Sequence, residues 1–358
     1  MTRLAHIDLL RVALTVGVIA THATITYGGP GTWFYQEGAL PDGVRIAVSI
    51  PIAFGALFGM GAFFFVAGAF LPGSLSRKGP RRFVAGRALR LGLPLLAFVL
   101  VVVPIVVWTV HAVAGPPRTF GQIVTDQLTE LDPGPLWFVW VLLLFSTVVA
   151  VLPLRPATPG PLRPSLLVAC GAFIAVASFL FRVFCRVDSY QIGAAHMWQW
   201  GQCIGLFALG VVAGRQGWLP AIPATIRRTC AGLALAGLIC VAAVIALMGD
   251  DLDPAGGGWH WQSALIAILE GVICVSATIV LADLFRGVRT GRFPDSLIRS
   301  AYGAYILQTP VLVALALVLR GVPMPNAAKL AIVLPAALAA SFGLTLLLLR
   351  IRPLARVL

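Results

Sequence analysis

Long apolar runs, rather than alternating ones, organise this 358-residue chain. Breaks at charged, proline-rich or glycine-rich stretches leave ten apolar segments, at approximately 6–27, 46–71, 91–112, 135–154, 165–184, 195–214, 229–248, 261–285, 301–319 and 329–349. Each comes close to the roughly 20 residues that an α-helix needs to cross a hydrocarbon core about 30 Å thick. The connections are short, and no stretch suffices for a separate soluble domain. No period-2 alternation recurs as a membrane β-barrel requires. The pattern predicts an all-α polytopic membrane protein: one domain over 1–358, a bundle of ten transmembrane helices.

Composition agrees with this picture, and charge adds an orientation. The chain is 59% apolar and 11% charged, with mean hydropathy +0.95. A soluble domain carries about 25% charged residues, so a water-facing globule, a disordered chain and a disulfide scaffold are excluded. A net charge of +13 taken alone points to nucleic acid or an anionic membrane surface. Its placement decides otherwise. With the N-terminus inside, 19 of the 26 basic residues fall on inner segments: Arg3, Arg77 to Arg90, Arg155, Arg163, Arg215, Arg227, Arg228, Arg286, Arg289, Arg292, Arg299, Arg350, Arg352 and Arg356. Outer segments hold six, and the acidic Glu37, Asp42, Asp126, Glu130, Asp132, Asp188, Asp250, Asp251 and Asp253 all fall outside. The expectation is a cell-membrane protein with both termini cytoplasmic and no nucleic-acid partner.

Two further patterns lack the signals that would change this reading. Asp8 and Arg11 interrupt what would be a signal-peptide core, and no A-x-A site follows, so the first segment is expected as a retained span. The six cysteines have no CxxC spacing, and no metal site is expected. Trp259 and Trp261 read as an interfacial aromatic belt.

Ionisable side chains inside spans are costly and point to function by default. The first span carries Asp8, Arg11 and His22; the eighth carries Glu270, with Asp283 near its end; the fifth carries Arg182. Eleven helical steps of about 100° place His22 only about 20° from Arg11 around the helix and about 16 Å along it. Asp8 can pair with Arg11 three residues on, and Thr15 shares the stripe. By themselves these residues leave two readings open. One is an interfacial ion pair with a satisfied histidine; the other is a functional polar line through the bilayer.

RVALTVGVIATH, from Arg11 to His22, resembles the Arg-x10-His signature of the acyltransferase family 3 membrane proteins. HIDLLRVA from His6 is similar to that family's opening of the first helix. FFFVAGAFL from Phe63 resembles its "FFxxSGF" segment, with Ala67 where serine is common. RALR, Arg87 to Arg90, matches an Arg-x-x-Arg element, and GPLWFVWVLLLF from Gly134 matches an "LWFL" helix start. SAYGAYILQTP from Ser300 resembles "YxxYxxHxP", but Gln308 stands where many members carry histidine. A glutamine exchanges hydrogen bonds and does not titrate.

The resemblance covers essentially the whole chain and implies ten transmembrane helices and O-acylation of sugars, lipids or secreted metabolites. It also implies a cytoplasmic acyl-CoA donor and an acetyl group, or a succinyl group as in some relatives. No permanently bound cofactor is expected. Arg87, Arg90 and Arg82 become candidates for the CoA phosphates. His22 is the candidate base or acyl relay, with Arg11, fixed by Asp8, orienting the donor or stabilising an oxyanion. Glu270, Tyr305, Gln308 and His196 are expected to line the substrate site; His111 and His260 are weaker candidates. The alternative is a transporter or flippase using Asp8, Arg11, His22 and Glu270 as a substrate or proton path, although no inverted repeat is visible.

Overall fold

The computed structural model describes residues 5–152, 158–187, 189, 194–249, 252–288 and 291–358, with the backbone alone at 292–294. Arg3, Arg155, Asp188, Asp250, Asp251 and Arg289, and the side chain of Arg292, lie outside the described residues. Helices follow in the order α1 (Ala5–Thr26), α2 (Asp42–Lys78), α3 (Pro80–Ala114), α4 (Phe120–Glu130) and α5 (Trp137–Val151). They continue with α6 (Pro164–Phe184), α7 (Trp200–Gln216), α8 (Ala224–Met248), α9 (Trp261–Leu284), α10 (Arg292–Leu319) and α11 (Asn326–Leu348). No strand occurs among the described residues.

Nine helical stretches among the described residues are long and apolar enough to cross a membrane, α4 and α5 counting as one. The expected segment 195–214 forms α7, whose 17 residues rise about 26 Å. Many outward side chains are apolar: Val168, Val176 and Phe184 on α6, and Leu235, Ile239 and Leu247 on α8, are each more than half exposed. Lipid, rather than water, suits such a surface. The chain is thus an all-α, multi-pass membrane protein.

Two boundaries differ from the expectation. The stretch 72–90, expected as a basic loop, is helical on both sides of a one-residue turn at Gly79. That glycine takes φ +72°, which other residues rarely adopt, and Pro80 starts α3 with its φ already set. The connection before the fourth span contains α4, which no apolar run announced. Its start is a capping box, with the Thr119 side chain and the Gln122 backbone and side chain satisfying each other.

The core divides into three buried clusters: α1 contributes to all three, α2 to the first and second, and α10 to the second and third. The closest association is the parallel pair α2 and α7. Gly210 and Gly214, one turn apart on α7, lie directly on the Phe65 and Ala69 carbonyls of α2, where a Cβ would collide with backbone. Small residues at such spacing let helix backbones meet, which supplies the dispersion contact that lipid cannot.

α3 is not uniform. It widens into π turns at Ala88–Gly92 and Phe98–Val102, each just before a proline, Pro94 and Pro104. A proline has no N–H for the carbonyl four residues earlier and pushes it aside. For Pro94 that carbonyl belongs to Arg90.

Candidate active site

One end of the bundle, the end where the basic residues of α2 and α3 lie, opens into a cavity of about 630 Å³. Its walls come from α1, α2, α3, α5, α7 and α10. Arg11, Arg77, Lys78, Arg87 and Arg90 line it, against one carboxylate, Asp8. Two of these cations are held in place. The Arg11 Nη2 donates to the Ile298 carbonyl at 3.0 Å and lies 3.7 Å from the Asp8 carboxylate. The Arg87 guanidinium sits over the Phe83 ring, 5.4 Å from its centroid, a favourable cation–π placement.

The wall on α10 is set by the break in α3. The Arg90 carbonyl, released by Pro94, accepts a hydrogen bond from the Tyr302 hydroxyl at 3.1 Å. One turn further, the Tyr305 hydroxyl donates to the Pro135 carbonyl. Tyr305 packs with Phe63 and Phe138, ring centroids 6.2 and 6.1 Å away, to close the inner end of the cavity. Helix spacing then places Gln308 next along α10, one turn beyond Tyr305.

Gln308 is fully buried, and its Oε1 faces the His22 Nδ1 at 3.1 Å. A carboxamide oxygen only accepts, so this contact puts the proton on Nδ1 and leaves Nε2 with a free lone pair. That is the tautomer a general base needs. The Gln308 Nε2 and the Trp33 Nε1, both buried N–H donors at the imidazole, have no hydrogen-bond partner among the described residues. The Trp33 indole stacks on His22 with centroids 3.9 Å apart and planes 15° from parallel. So the expected polar line exists on α1. Asp8, Arg11 and Thr15 line the cavity, and His22 sits beyond its aromatic end.

The other candidates are distributed as follows. Arg82, expected together with Arg87 and Arg90, is exposed and stands outside the cavity wall that those two line. Its neighbour Phe83 points inward and is buried, and one helical step of about 100° turns Arg82 away. Glu270 lies apart from the cavity. It pairs with Arg182 at 2.6 Å, both almost fully buried, and accepts from the Gln202 Nε2 at 3.1 Å. Gln202 in turn accepts from the Gly61 N–H at 3.1 Å and donates to the Ala56 carbonyl at 3.1 Å. This network ties α2, α6, α7 and α9 together. His196 sits on the turn before α7, its ring 4.9 Å from Trp137, outside the cavity wall. The His111 Nδ1 donates to the Pro116 carbonyl at 2.9 Å, and His260 is exposed at the start of α9. Asp283 bonds Arg286 at 2.5 Å and also pairs with Arg227.

Sequence reasoning missed two partners. Trp33 belongs to the segment after α1, and no spacing pattern marks it. Arg182 was visible as an intramembrane charge, and so was Glu270. Two opposite charges within apolar spans and without local partners, Arg182 in the last turn of α6 and Glu270 within α9, are a pairing signal that could have joined them.

A helical multi-pass protein with a cation-lined cavity and a half-buried, oriented histidine has the outline of a membrane enzyme. A family model described as an acyltransferase domain, that of the acyltransferase 3 family, matches residues 4–350, and the chain belongs to that family. It is therefore a membrane acyltransferase, which sets aside the transporter reading. No curated protein and no solved structure matches the chain.

Proposed function

We propose that the protein transfers a short acyl group, acetyl by preference, from cytoplasmic acyl-CoA to a hydroxyl of an extracytoplasmic carbohydrate, glycolipid or secreted metabolite at the cell membrane. The observation that carries this reading is the run from five converging cations, through the aromatic closure at Tyr305, to the His22–Gln308 pair. CoA presents several phosphate charges at one end and a thioester at the end of a long, thin arm. Arg77, Lys78, Arg87 and Arg90 suit the phosphates, with the forked guanidinium groups gripping them in pairs of hydrogen bonds. Arg11 lies about 16 Å from His22 along α1, too far for an oxyanion at the histidine. The spacing favours its holding the donor, with Asp8 keeping the guanidinium in place.

The arm passes the Phe63–Phe138–Tyr305 closure and brings the thioester to His22. The His22 Nε2 takes the acceptor hydroxyl proton as the oxygen bonds to the acyl carbon. The carbon–sulfur bond then breaks, and the proton passes from His22 to the departing CoA sulfur. Ester and CoA thiol are the products. Gln308 keeps its acceptor toward Nδ1 throughout and stabilises the imidazolium between the two proton transfers. Its non-titrating amide does this work without the second imidazole that many relatives have.

Purified protein in lipid nanodiscs, given radiolabelled acetyl-CoA and a panel of sugars, tests the proposal. Label is expected to move to a hydroxyl of at least one acceptor in wild type and to stay on CoA with His22→Ala. The absence of both transfer and saturable binding of any short acyl-CoA overturns the donor assignment. Full transfer by His22→Ala overturns the role of the histidine.

A further inference from the structure

One face of the half-buried His22 imidazole is covered by a specific element. The segment 28–41 folds back over the end of α1 and lays Trp33 flat on the imidazole. Phe34 meets Trp33 edge-on, centroids 5.2 Å apart, and rests against Gly134, where any Cβ would strike its ring. The far end of the segment is moored. The Lys329 ammonium and the Asn326 amide on α11 hold the Glu37 carboxylate and carbonyl. The Tyr35 hydroxyl donates to the same carboxylate at 3.2 Å, and burial with that neighbouring charge holds its phenol above the ordinary value, so it stays a donor. The near end turns on Gly28 and Gly31, at φ +99° and +122°. Trp33 thus sits between a fixed anchor and a permissive turn.

We propose that Trp33 selects the acceptor: it keeps water from His22 and gives way to a ring-shaped, hydroxyl-rich molecule. The inference rests on the acyl-transfer reading above and assigns the site's acceptor chemistry. A thioester held at a general base is open to hydrolysis. Water would lose its proton to the His22 Nε2, its oxygen would bond to the acyl carbon, the carbon–sulfur bond would break, and the proton would pass to CoA sulfur. Free acid and CoA thiol would result, with the acyl group wasted. A stacked indole excludes water from one face of the imidazole. Water cannot offset the loss of that stack. A sugar can, because its C–H face covers an indole while its hydroxyls accept from N–H groups. Two such donors beside the imidazole, the Trp33 Nε1 and the Gln308 Nε2, have no partner among the described residues, and buried donors of that kind fit a ligand rich in oxygen.

Two readouts on wild type, Trp33→Ala and Trp33→Phe in nanodiscs test this. The first is the rate at which diethyl pyrocarbonate modifies His22, read by peptide mass spectrometry, which needs no enzymatic turnover. The second is CoA thiol release from acetyl-CoA with no acceptor added. Trp33→Ala is expected to raise both about tenfold or more. Trp33→Phe, which keeps a stacked ring, should stay near wild type in both and so report that the fold is intact. Unchanged His22 labelling in Trp33→Ala overturns the shield, and faster labelling without faster thiol release in a turning-over enzyme overturns the selection. If no variant turns over acetyl-CoA, the acyl-CoA reading fails, and the labelling rates alone decide whether Trp33 shields His22.

Discussion

At the residue scale the central fact is that the His22 Nδ1 faces an acceptor atom of Gln308. That contact distinguishes orientation from titration as the job of the second side chain. Replacing Gln308 with leucine removes the acceptor and frees the imidazole to take the wrong tautomer, so kcat should fall about tenfold or more. Gln308→Glu restores an oxygen at the same reach and should recover most of the loss. His22→Ala removes proton transfer itself and should lower kcat by about 10²–10⁴-fold. In each case the KM for acetyl-CoA should hardly move, because the phosphates are expected to be held at the far end of the cavity. Steady-state kinetics with kcat and KM separated check all three. A KM rise that accounts for the whole effect of Gln308→Leu would show that the amide contacts the donor instead. The first helix was the most legible part of the site, because an eleven-residue spacing converts directly into a shared face. Trp33 was not legible, since its position depends on how an irregular segment folds back.

At the scale of elements, buried polar ties and close backbone contacts decide which helices stay together. The Arg182–Glu270 pair joins α6 to α9 in a region where neither charge can reach water. Its two halves lie 88 positions apart in the chain, so spacing could not reveal the pairing, although the oddity of each charge was visible. Removing one partner leaves the other uncompensated, at a cost of about 3–5 kcal/mol. Glu270→Ala and Arg182→Ala should each lower the unfolding midpoint markedly in detergent. The double variant should lie well above the sum of the two, because no lone charge remains. Additive losses in a thermal-shift series would mean that the pair is not coupled. Transfer activity should persist in whichever variants remain folded, as the pair lies outside the cavity. A second tie runs from sequence to site more subtly. Pro94 frees the Arg90 carbonyl, Tyr302 donates to it, and α3 is thereby fixed against α10 beside the cavity-lining cations.

At the scale of the whole molecule, part of the surplus of positive charge gathers at one cavity. Apolar runs gave the helical class because membrane thickness imposes a length on them. They overstated the basic loop and missed α4, since Gly79 and the Thr119 capping box act locally and leave no trace in average hydropathy. Among the basic residues, the cavity separates two groups that the sequence shows as one run. Arg87→Ala and Arg90→Ala should each raise the KM for acetyl-CoA about ten- to hundredfold, the worth of a charge-assisted hydrogen bond, more so at low salt. Arg82→Ala, one residue from the buried Phe83 yet outside the wall, should leave KM unchanged. The final requirement is that the cation-lined mouth faces the compartment where acyl-CoA is made. In a background without the native cysteines, Ser76→Cys marks that mouth and Thr119→Cys marks the opposite end, both at exposed positions. An impermeant maleimide added to intact cells should label position 119 and spare position 76, and inverted vesicles should reverse the pattern. The opposite result would put the five cations outside, beyond reach of acyl-CoA, and the donor assignment would fall with it.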